Sequence, residues 1–438
     1  MIAASQRWIG RHAGCALVPA TFWNATTQHA ALKLALLLLL AFPAAVQAQF
    51  TYLAFEGSIT ITGGDCSGAL TIPKTIDGLP VTTIGEDAFY KCTLLTRVVI
   101  PEGVTTIANE AFSGCTALTE VAIPDSVTVI GDYAFQGSGL TRAALGTGVL
   151  NLGQYAFGAC PNLLTLTVST QNSSFSSVDG VVFDKGRSTL LAYPGGKSGA
   201  YGVPDGVTCI ADFAFESCNR MTRVTIPDSV KTIGEDAFAF CTNLTQVTIG
   251  NGVTNLAVYA FYNCGRMTDL TLGTGIARIG GFAFGGCGSL TNVTFPRSVT
   301  QIGPAAFYNC ASLTGAYFTG NAPTVSDQTF AVDPNTTVYY LPGTSGWDSV
   351  FAGRPTATWT LSGSLEPEFR TRTGVRTGPF GFDILWTDGK SVVVEASTLI
   401  KGDAWIPVST NVINGGVSSF SDPQSTTRPS RFYRLRWQ

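Results

Sequence analysis

Apolar and polar residues alternate along this chain in a short unit that returns about every 23 residues. Its phenylalanine recurs at Phe89, Phe112, Phe135, Phe157, Phe215, Phe238, Phe261, Phe284, Phe307 and Phe330, in steps of 22 or 23 residues except for one step of 58. Such a period is typical of arrays in which each unit buries its apolar edge only against its neighbours. We therefore predict a solenoid whose long step contains one ordinary unit and one variant unit of 35 residues.

Each unit predicts a strand and a return segment. The strand pattern places three apolar side chains inward, as at Leu244, Val247 and Ile249. The same columns hold Leu95, Val98 and Ile100; Leu118, Val121 and Ile123; Met267, Leu270 and Leu272; and Leu290, Val293 and Phe295. The Ile-Gly-x-x-Ala-Phe half predicts a short helical or 3₁₀ turn, whose Phe points inward and stacks on the next one about 4.8 Å away.

Residues 1–48 predict a signal peptide behind a long leader. Lys33 precedes an apolar run from Leu34 to Phe42, and Val46 and Ala48 are small residues ahead of an expected cut after Ala48. The alternative is a membrane anchor, which needs about 20 apolar residues. We expect export to the medium or cell surface and no transmembrane span in the mature chain. The leader is long enough that an incorrectly assigned start is a further alternative.

Composition then narrows the function classes. Only 13% of the residues are charged and the net charge is −3, so the composition lacks the excess of basic residues that nucleic-acid binding requires. The two histidines, His12 and His29, lie in the leader, so the mature chain would lack a His base or a His-ligated metal. We predict no catalytic residue, cofactor or metal site. The alternative is a glycan-active enzyme using paired carboxylates, for which Glu102, Asp125, Asp205 and Asp228 are candidates, although turn chemistry also explains them.

Eight cysteines follow the phenylalanine at a fixed distance of three residues, and they have two interpretations. They are Cys92, Cys115, Cys160, Cys218, Cys241, Cys264, Cys287 and Cys310. They could be small buried thiols or form disulfides between neighbouring units, which secretion would permit. Zinc is disfavoured because there is no C-x-x-C pair. Cys66 and Cys209 lie outside this column and are not expected to meet each other.

The repeating pattern IP-D-S/G-V-x-x-I-G-x-x-A-F-x-x-C-x-x-L-T-x-V-x-I resembles the BspA-like subclass of leucine-rich repeats from about Phe50 to Trp359. The resemblance implies an α/β-type leucine-rich repeat solenoid of 23-residue units, each a strand plus a short helical or 3₁₀ turn. It implies an N-terminal capping coil at 49–83 and repeats at 84–359. Within them we expect a hairpin variant unit at about 169–203, which pairs Val181–Phe183 with Thr189–Tyr193, and a closing unit at about 316–359.

Residues 360–438 leave the 23-residue period and predict a small all-β, sandwich-like module. FDILWTDGKSVVVEAS indicates two strands joined as a hairpin. AWIPVST, VSSFSD and RFYRLRW predict further strands. Attachment, sorting during export and ligand contact all remain open as roles for this module.

Two outward positions per strand form the candidate partner-binding face. Its residues are Arg97, Glu120, Arg142, Arg223, Gln246, Asp269, Asn292 and Tyr317. The family resemblance implies an adhesin-like chain that presents a concave sheet to an extracellular protein or glycoprotein. One alternative is a self-associating surface-layer component. A second alternative, suggested by the neighbouring threonine-rich column, is binding to a regular lattice such as ice or crystalline polysaccharide. A third is that these residues simply form an exposed, solvated strand face without a binding role.

Overall fold

The computed structural model describes residues 50–326 and 328–359, and six strands of the region beyond them. The first coil contains β1 (Phe50–Phe55), β2 (Ser58–Gly64), β3 (Ser67–Thr71), β4 (Thr75–Ile76) and β5 (Leu79–Ile84). Strand β1 pairs with β2 antiparallel, and β2 pairs with β5 in parallel. The hairpin of the first two strands thus closes this end of the array by covering the first parallel strand.

The repeats form a β-solenoid of about 12 turns. The longer strands form one side of the array: β6 (Leu94–Val99), β8 (Glu120–Ala122), β10 (Arg142–Leu145), β12 (Thr165–Val168), β16 (Gly199–Gly202), β18 (Met221–Ile226), β20 (Gln246–Ile249), β22 (Asp269–Thr271), β24 (Asn292–Phe295), β26 (Gly315–Phe318), β27 (Thr337–Tyr340) and β29 (Arg354–Thr358), the last paired with β28 (Val350–Phe351). Two-residue strands form a second side: β7 (Thr106–Ile107), β9 (Val129–Ile130), β11 (Asn151–Leu152), β17 (Cys209–Ile210), β19 (Thr232–Ile233), β21 (Asn255–Leu256), β23 (Arg278–Ile279) and β25 (Gln301–Ile302). Within each sheet, strands of successive units pair in parallel, so equivalent residues stack in columns.

The predicted ring stack is confirmed. Phe89, Phe112 and Phe135 are fully buried, and their ring centroids lie 5.2 Å apart. A second run extends from Phe215 to Phe330, with neighbouring centroids 4.5–5.7 Å apart. In the variant unit Tyr193 takes the place of the phenylalanine and stacks on Phe215 at 4.8 Å. The core therefore consists of two apolar clusters, one on each side of the variant unit.

The return segment differs from the predicted helical or 3₁₀ turn, because none of the described residues is helical. Asp87 and Lys91, two residues on either side of Phe89, have left-handed φ angles of 58° and 56°. The N–H groups of Asp87, Phe89 and Lys91 donate to carbonyls of the next unit at 3.2, 2.8 and 2.7 Å, while Ala88 and Tyr90 donate back within their own turn. A helix would satisfy its N–H groups internally. Here every second N–H is directed along the array. These bonds offset the cost of about 1–2 kcal/mol for each left-handed residue.

Seven of the column cysteines are buried free thiols: Cys115, Cys160, Cys218, Cys241, Cys264, Cys287 and Cys310. Each lies within hydrogen-bonding distance of a carbonyl of the preceding unit. The thiol of Cys115 donates to the Phe89 carbonyl at 3.2 Å, and that of Cys241 to the Phe215 carbonyl at 3.1 Å. Burial raises the pKa of both thiols to about 12. The buried-thiol interpretation is therefore confirmed for these seven.

Cys92 is the exception, because it forms a disulfide with Cys66 in the first coil. Their Cα atoms lie 4.8 Å apart, and their separation of 26 residues equals that between Phe89 and Cys115. Cys66 thus lies at the position in the first coil that corresponds to Phe89 in the next unit, whose backbone carbonyl accepts the bond from Cys115. The disulfide replaces the thiol–carbonyl bond where the column begins.

The variant unit contains β13 (Phe175–Val178), β14 (Val181–Asp184) and β15 (Thr189–Ala192). Strands β14 and β15 pair antiparallel, which is the predicted pairing. A second hairpin joins β13 to β14 through Asp179 and Gly180, whose φ angles of 50° and 76° suit a two-residue turn. Strand β15 then returns to the array by pairing in parallel with β17.

The strands described beyond residue 359 are β30 (Arg370–Thr371), β31 (Phe380–Leu385), β32 (Ser391–Ser397), β33 (Ile406–Val412), β34 (Val417–Asp422) and β35 (Phe432–Trp437). They form two antiparallel sheets, in the orders β30-β31-β34 and β33-β32-β35. The predicted hairpin between β31 and β32 is therefore wrong, although both strands exist. Strand β32 is buried at Val393–Ala396 and has β33 and β35 on its two edges, which leaves no edge for β31. Packing of the two sheets as a sandwich stays a prediction.

Candidate binding surface

The candidate residues lie on the outward side of the longer strands. Parallel pairing places Arg142 beside Glu120 on one side and Thr165 on the other. It also places Gln246 between Arg223 and Asp269. Gln246 and Tyr317 are half-buried and the other six candidate residues are exposed. The structure thus puts the candidates at the register positions assigned to them, with Tyr317 in the column of Thr294.

The variant unit divides this side into two surfaces rather than one continuous face. The Leu166 N–H donates to the Gly180 carbonyl at 3.0 Å, so the hairpin turn covers the free edge of β12. A Cβ atom on Gly180 would lie only 2.9 Å from the Cα of Thr165, which shows how close this approach is. Strands β12 and β16 consequently belong to different sheets. We call the surface of β6, β8, β10 and β12 the N-terminal half-face and that of β16 to β29 the C-terminal half-face.

The N-terminal half-face contains a two-point ion pair. The Arg142 guanidinium bonds the Glu120 carboxylate through Nε and Nη2, each at 2.9 Å. The bonds from Arg142, followed by its charge and that of Arg97, lower the pKa of Glu120. Glu120 therefore engages two of the five N–H donors of Arg142 within the sheet.

The C-terminal half-face contains a depression of about 340 Å³, which we call the notch. It is lined by Ala200, Tyr201, Gly202, Arg223, Thr225, Gln246 and Thr248. The two outward positions of β16 hold only Ala200 and Gly202, opposite Arg223 and Thr225. The notch therefore brings together two of the predicted candidates, Arg223 and Gln246, at the place where neighbouring side chains are missing.

Aromatic side chains continue the C-terminal half-face toward the closing unit. Tyr317 stacks on Tyr339 with centroids 4.8 Å apart, and Trp359 lies 5.0 Å from Tyr317. The Tyr317 ring lies over Gly315, where a Cβ atom would approach Tyr317 Cε2 to 2.4 Å. Sequence reasoning had identified Tyr317 but missed its aromatic partners.

The acidic residues considered for hydrolysis are mostly engaged in bonds between units. Asp125 accepts the Thr147 N–H and Asp228 accepts the Asn251 N–H, each at 2.6 Å. Glu102 accepts N–H groups of the following turn, and Asp205 is exposed. These carboxylates satisfy the backbone of the neighbouring unit, which accounts for their recurrence. Within the described residues no group of three or more His, Cys, Asp or Glu side chains could hold a metal ion.

The turn side of the array carries an aromatic group that sequence reasoning missed. Tyr259 stacks on Phe282 at 5.3 Å, Phe240 meets Tyr262 edge-on at 5.6 Å, and Phe282 lies 5.9 Å from Tyr308. Phe240 and Tyr308 are 37% and 39% exposed. The signal is present in the sequence as extra aromatic residues one or two positions from the buried phenylalanine, as in YAFYNC.

A family model described as the BspA type leucine rich repeat region matches residues 82–185 and 208–337, with six copies and more than half of the chain. No match is found among curated proteins. Several solved structures are similar to this chain in fold.

One is a leucine-rich cell surface protein from Faecalibacterium prausnitzii, 23% identical, with a TM-score of 0.45 over 71% of this chain and 96% of that one. Another is the pneumococcal vaccine antigen PcpA, 18% identical, with a TM-score of 0.50 over 71% of this chain and 97% of that one. A third is a leucine-rich repeat protein from Bacteroides ovatus, 19% identical, with a TM-score of 0.38 over 71% and 98% of the two chains. The likeness to PcpA supports a shared fold and nothing more specific.

Proposed function

This chain belongs to the BspA-type leucine-rich repeat family, and from that membership we propose that it is a secreted or cell-surface binding protein without enzymatic activity. Its partner is an extracellular protein or glycoprotein, and the contact is made through the outward strand residues. Export rests on the predicted signal peptide at residues 1–48. The proposal keeps the predicted division into a capping coil at 49–83, repeats at 84–359 and a β module at 360–438.

The observation that carries this proposal is the contrast between the two sides of each longer strand. The inward positions repeat the same apolar types, as in Val224, Val247 and Leu270. The outward positions beside them change from Arg223 to Gln246 to Asp269. Packing requires the first column to be uniform, whereas a varied polar column on a rigid sheet can match the charges of a partner.

A charge-reversal series tests the proposal on the purified full chain. We would measure binding to a panel of immobilised extracellular-matrix glycoproteins by surface plasmon resonance. The triple variant Arg97→Glu, Arg142→Glu, Arg223→Glu should bind at least about tenfold more weakly. The matched control is Arg278→Glu, which makes the same charge change at an exposed residue of β23 on the other side of the array.

The two outcomes of this series separate clearly. Retained binding by Arg278→Glu and loss by the triple variant would assign the contact to the strand face. Equal affinities for wild type and triple variant, or no binding to any member of the panel, would reject it. Variants limited to Arg97 and Arg142, or to Arg223, then show which half-face is responsible.

Self-association is the second candidate, because apolar side chains are exposed on the terminal strand. Leu53 is 43% and Phe55 is 73% exposed on β1, which within the described residues pairs only with β2. A terminal strand of this kind can add a strand from another copy. Light scattering of the purified chain should then show a concentration-dependent mass that Phe55→Lys reduces to that of the monomer. A monomeric wild-type chain at all concentrations would exclude this candidate.

A further inference from the structure

The notch exists because one strand lacks side chains that its neighbours have. Outward positions hold Arg223 and Thr225 on β18, and Gln246 and Thr248 on β20. Strand β16 has the small residues Ala200 and Gly202 at the corresponding places, and a Cβ atom on Gly202 would meet nothing within 4 Å. The volume of about 340 Å³ falls at the lower end of the range for small-molecule sites.

Tyr201 forms the floor of the notch, because it lies between the outward residues Ala200 and Gly202 and pairs with the inward residue Val224. Its ring is half-buried and packs against Tyr193 at 4.7 Å and Phe215 at 5.8 Å. Phe215 belongs to the buried ring stack, so Tyr201 is supported by the core behind it. The floor of the notch is therefore held in place by packing against the core.

The polar side chains of the notch have unused hydrogen-bonding capacity. Within the described part of the chain, Arg223, Gln246, Thr225 and Thr248 make no side-chain hydrogen bond or ion pair, in contrast to Arg142, which Glu120 engages at two points. A guanidinium can bind a carboxylate through two parallel bonds. An amide and two hydroxyls beside it can both donate to and accept from hydroxyl groups.

The hairpin of the variant unit lies close to the notch beside Tyr201. Lys197 Nζ donates to the Asp179 carbonyl at 2.7 Å and so ties the hairpin turn to the segment that leads into β16. Asp179 is near enough for its charge to add to the effect of burial in raising the pKa of Tyr201 to about 12. Among the residues that line the notch, Arg223 carries the only charge, so it is the group available to an anionic ligand.

We propose that the notch binds a carboxylated pyranose, such as a terminal sialic acid or a uronic acid residue of a glycan. Arg223 takes the carboxylate, and Gln246 and the two threonines take ring hydroxyls. A glutamate side chain of a peptide would satisfy Arg223 alone and leave the amide and hydroxyl groups without partners. This proposal deepens the proposed function, since it supplies the glycan contact of a glycoprotein partner.

Saturation-transfer difference NMR on the purified full chain tests the proposal, because it detects the weak binding expected of a single-sugar site. The probes are sialyllactose, digalacturonic acid, lactose as the neutral match and triglutamate as the peptide carboxylate. We expect saturation of one or both acidic sugars, which identifies the source of the carboxylate, and at least tenfold less for lactose and triglutamate. Arg223→Gln and Gly202→Val, which fills the notch, should each reduce the signal at least tenfold, whereas Arg278→Gln, at an exposed residue on the other side of the array, should leave it unchanged.

Four results would overturn the assignment. They are no saturation of either acidic sugar, equal saturation of lactose, equal saturation of triglutamate, or an unchanged signal in Gly202→Val with its fold verified by circular dichroism. Glycoprotein capture that survives without sugar binding would reject the notch alone. Sugar binding without glycoprotein capture would reject the broader proposal and retain the notch.

Discussion

Phe238 lies in the middle of the second ring stack, and replacing it with alanine is the sharpest test of how the array is held together. The side chain is fully buried. Its ring centroid lies 4.5 Å from that of Phe215 and 4.8 Å from that of Phe261, with interplanar angles of 14° and 2°. The substitution therefore removes two ring contacts and leaves a cavity between two neighbouring units.

We expect Phe238→Ala to lower the free energy of unfolding by about 3–5 kcal/mol. This figure includes the lost ring contacts, each of which adds about 0.5–1.5 kcal/mol beyond the burial of area. Because each unit packs only against its neighbours, a defect here also weakens the coupling between the two flanking parts of the array. The unfolding transition should therefore broaden as well as move to lower denaturant.

Urea denaturation followed by circular dichroism measures both effects, and Phe240→Ala is the matched control. Phe240 is two residues away, 37% exposed, and meets Tyr262 edge-on, so its loss should cost about 1 kcal/mol or less. A Phe238→Ala variant that unfolds at the same urea concentration as Phe240→Ala would refute the view that the buried stack dominates stability.

Three further predictions concern the cysteines and one buried carboxyl. The seven column thiols should resist iodoacetamide at pH 8 in the folded chain and react in denaturant, since a thiol with a pKa of about 12 has only ~10⁻⁴ of its population as thiolate there; modification of any of them in the folded chain would contradict this. Cys66→Ser should lower the free energy of unfolding by about 3 kcal/mol, and an unchanged free energy of unfolding would disprove this. Asp333 is buried without a hydrogen-bond partner for either carboxyl oxygen, and burial raises its pKa to about 6. Its contribution to the free energy of unfolding is therefore greatest below pH 4, where the carboxyl is protonated, and is lost as the pH rises to 6. Asp333→Asn should raise the melting temperature at pH 7.5 more than at pH 4, and equal shifts at the two pH values would count against this carboxyl.

The periodic part of the fold could be predicted from the sequence because packing imposes it. Phe112 and Phe135 must recur at the spacing of one unit if their rings are to stack, so the spacing alone located the core. The return segment was harder, since left-handed residues such as Asp87 and Lys91 are not glycines and have no local signature. Their conformation is set by hydrogen bonds to the next unit, which no single unit reveals.

The candidate surface shows the same limit. Register assigned Arg142 and Arg223 to one column, but only the structure shows that Glu120 engages the first and that the second borders a notch. The interruption at β16 depends on the position of the hairpin turn Asp179–Gly180. That position is set by a tertiary contact with Thr165. Likewise, the Cys66–Cys92 disulfide follows from the stacking of the first coil on the first repeat.

Hydroxyl-radical footprinting of the chain, alone and bound to the matrix glycoprotein that it captures most tightly, tests most directly which side of the array makes contact. Tyr317 and Tyr339 report on the strand side, and Tyr262 and Tyr308 on the turn side. Our account predicts that binding lowers oxidation of tyrosines on the strand side and leaves those on the turn side unchanged. Protection confined to the turn-side tyrosines would contradict it.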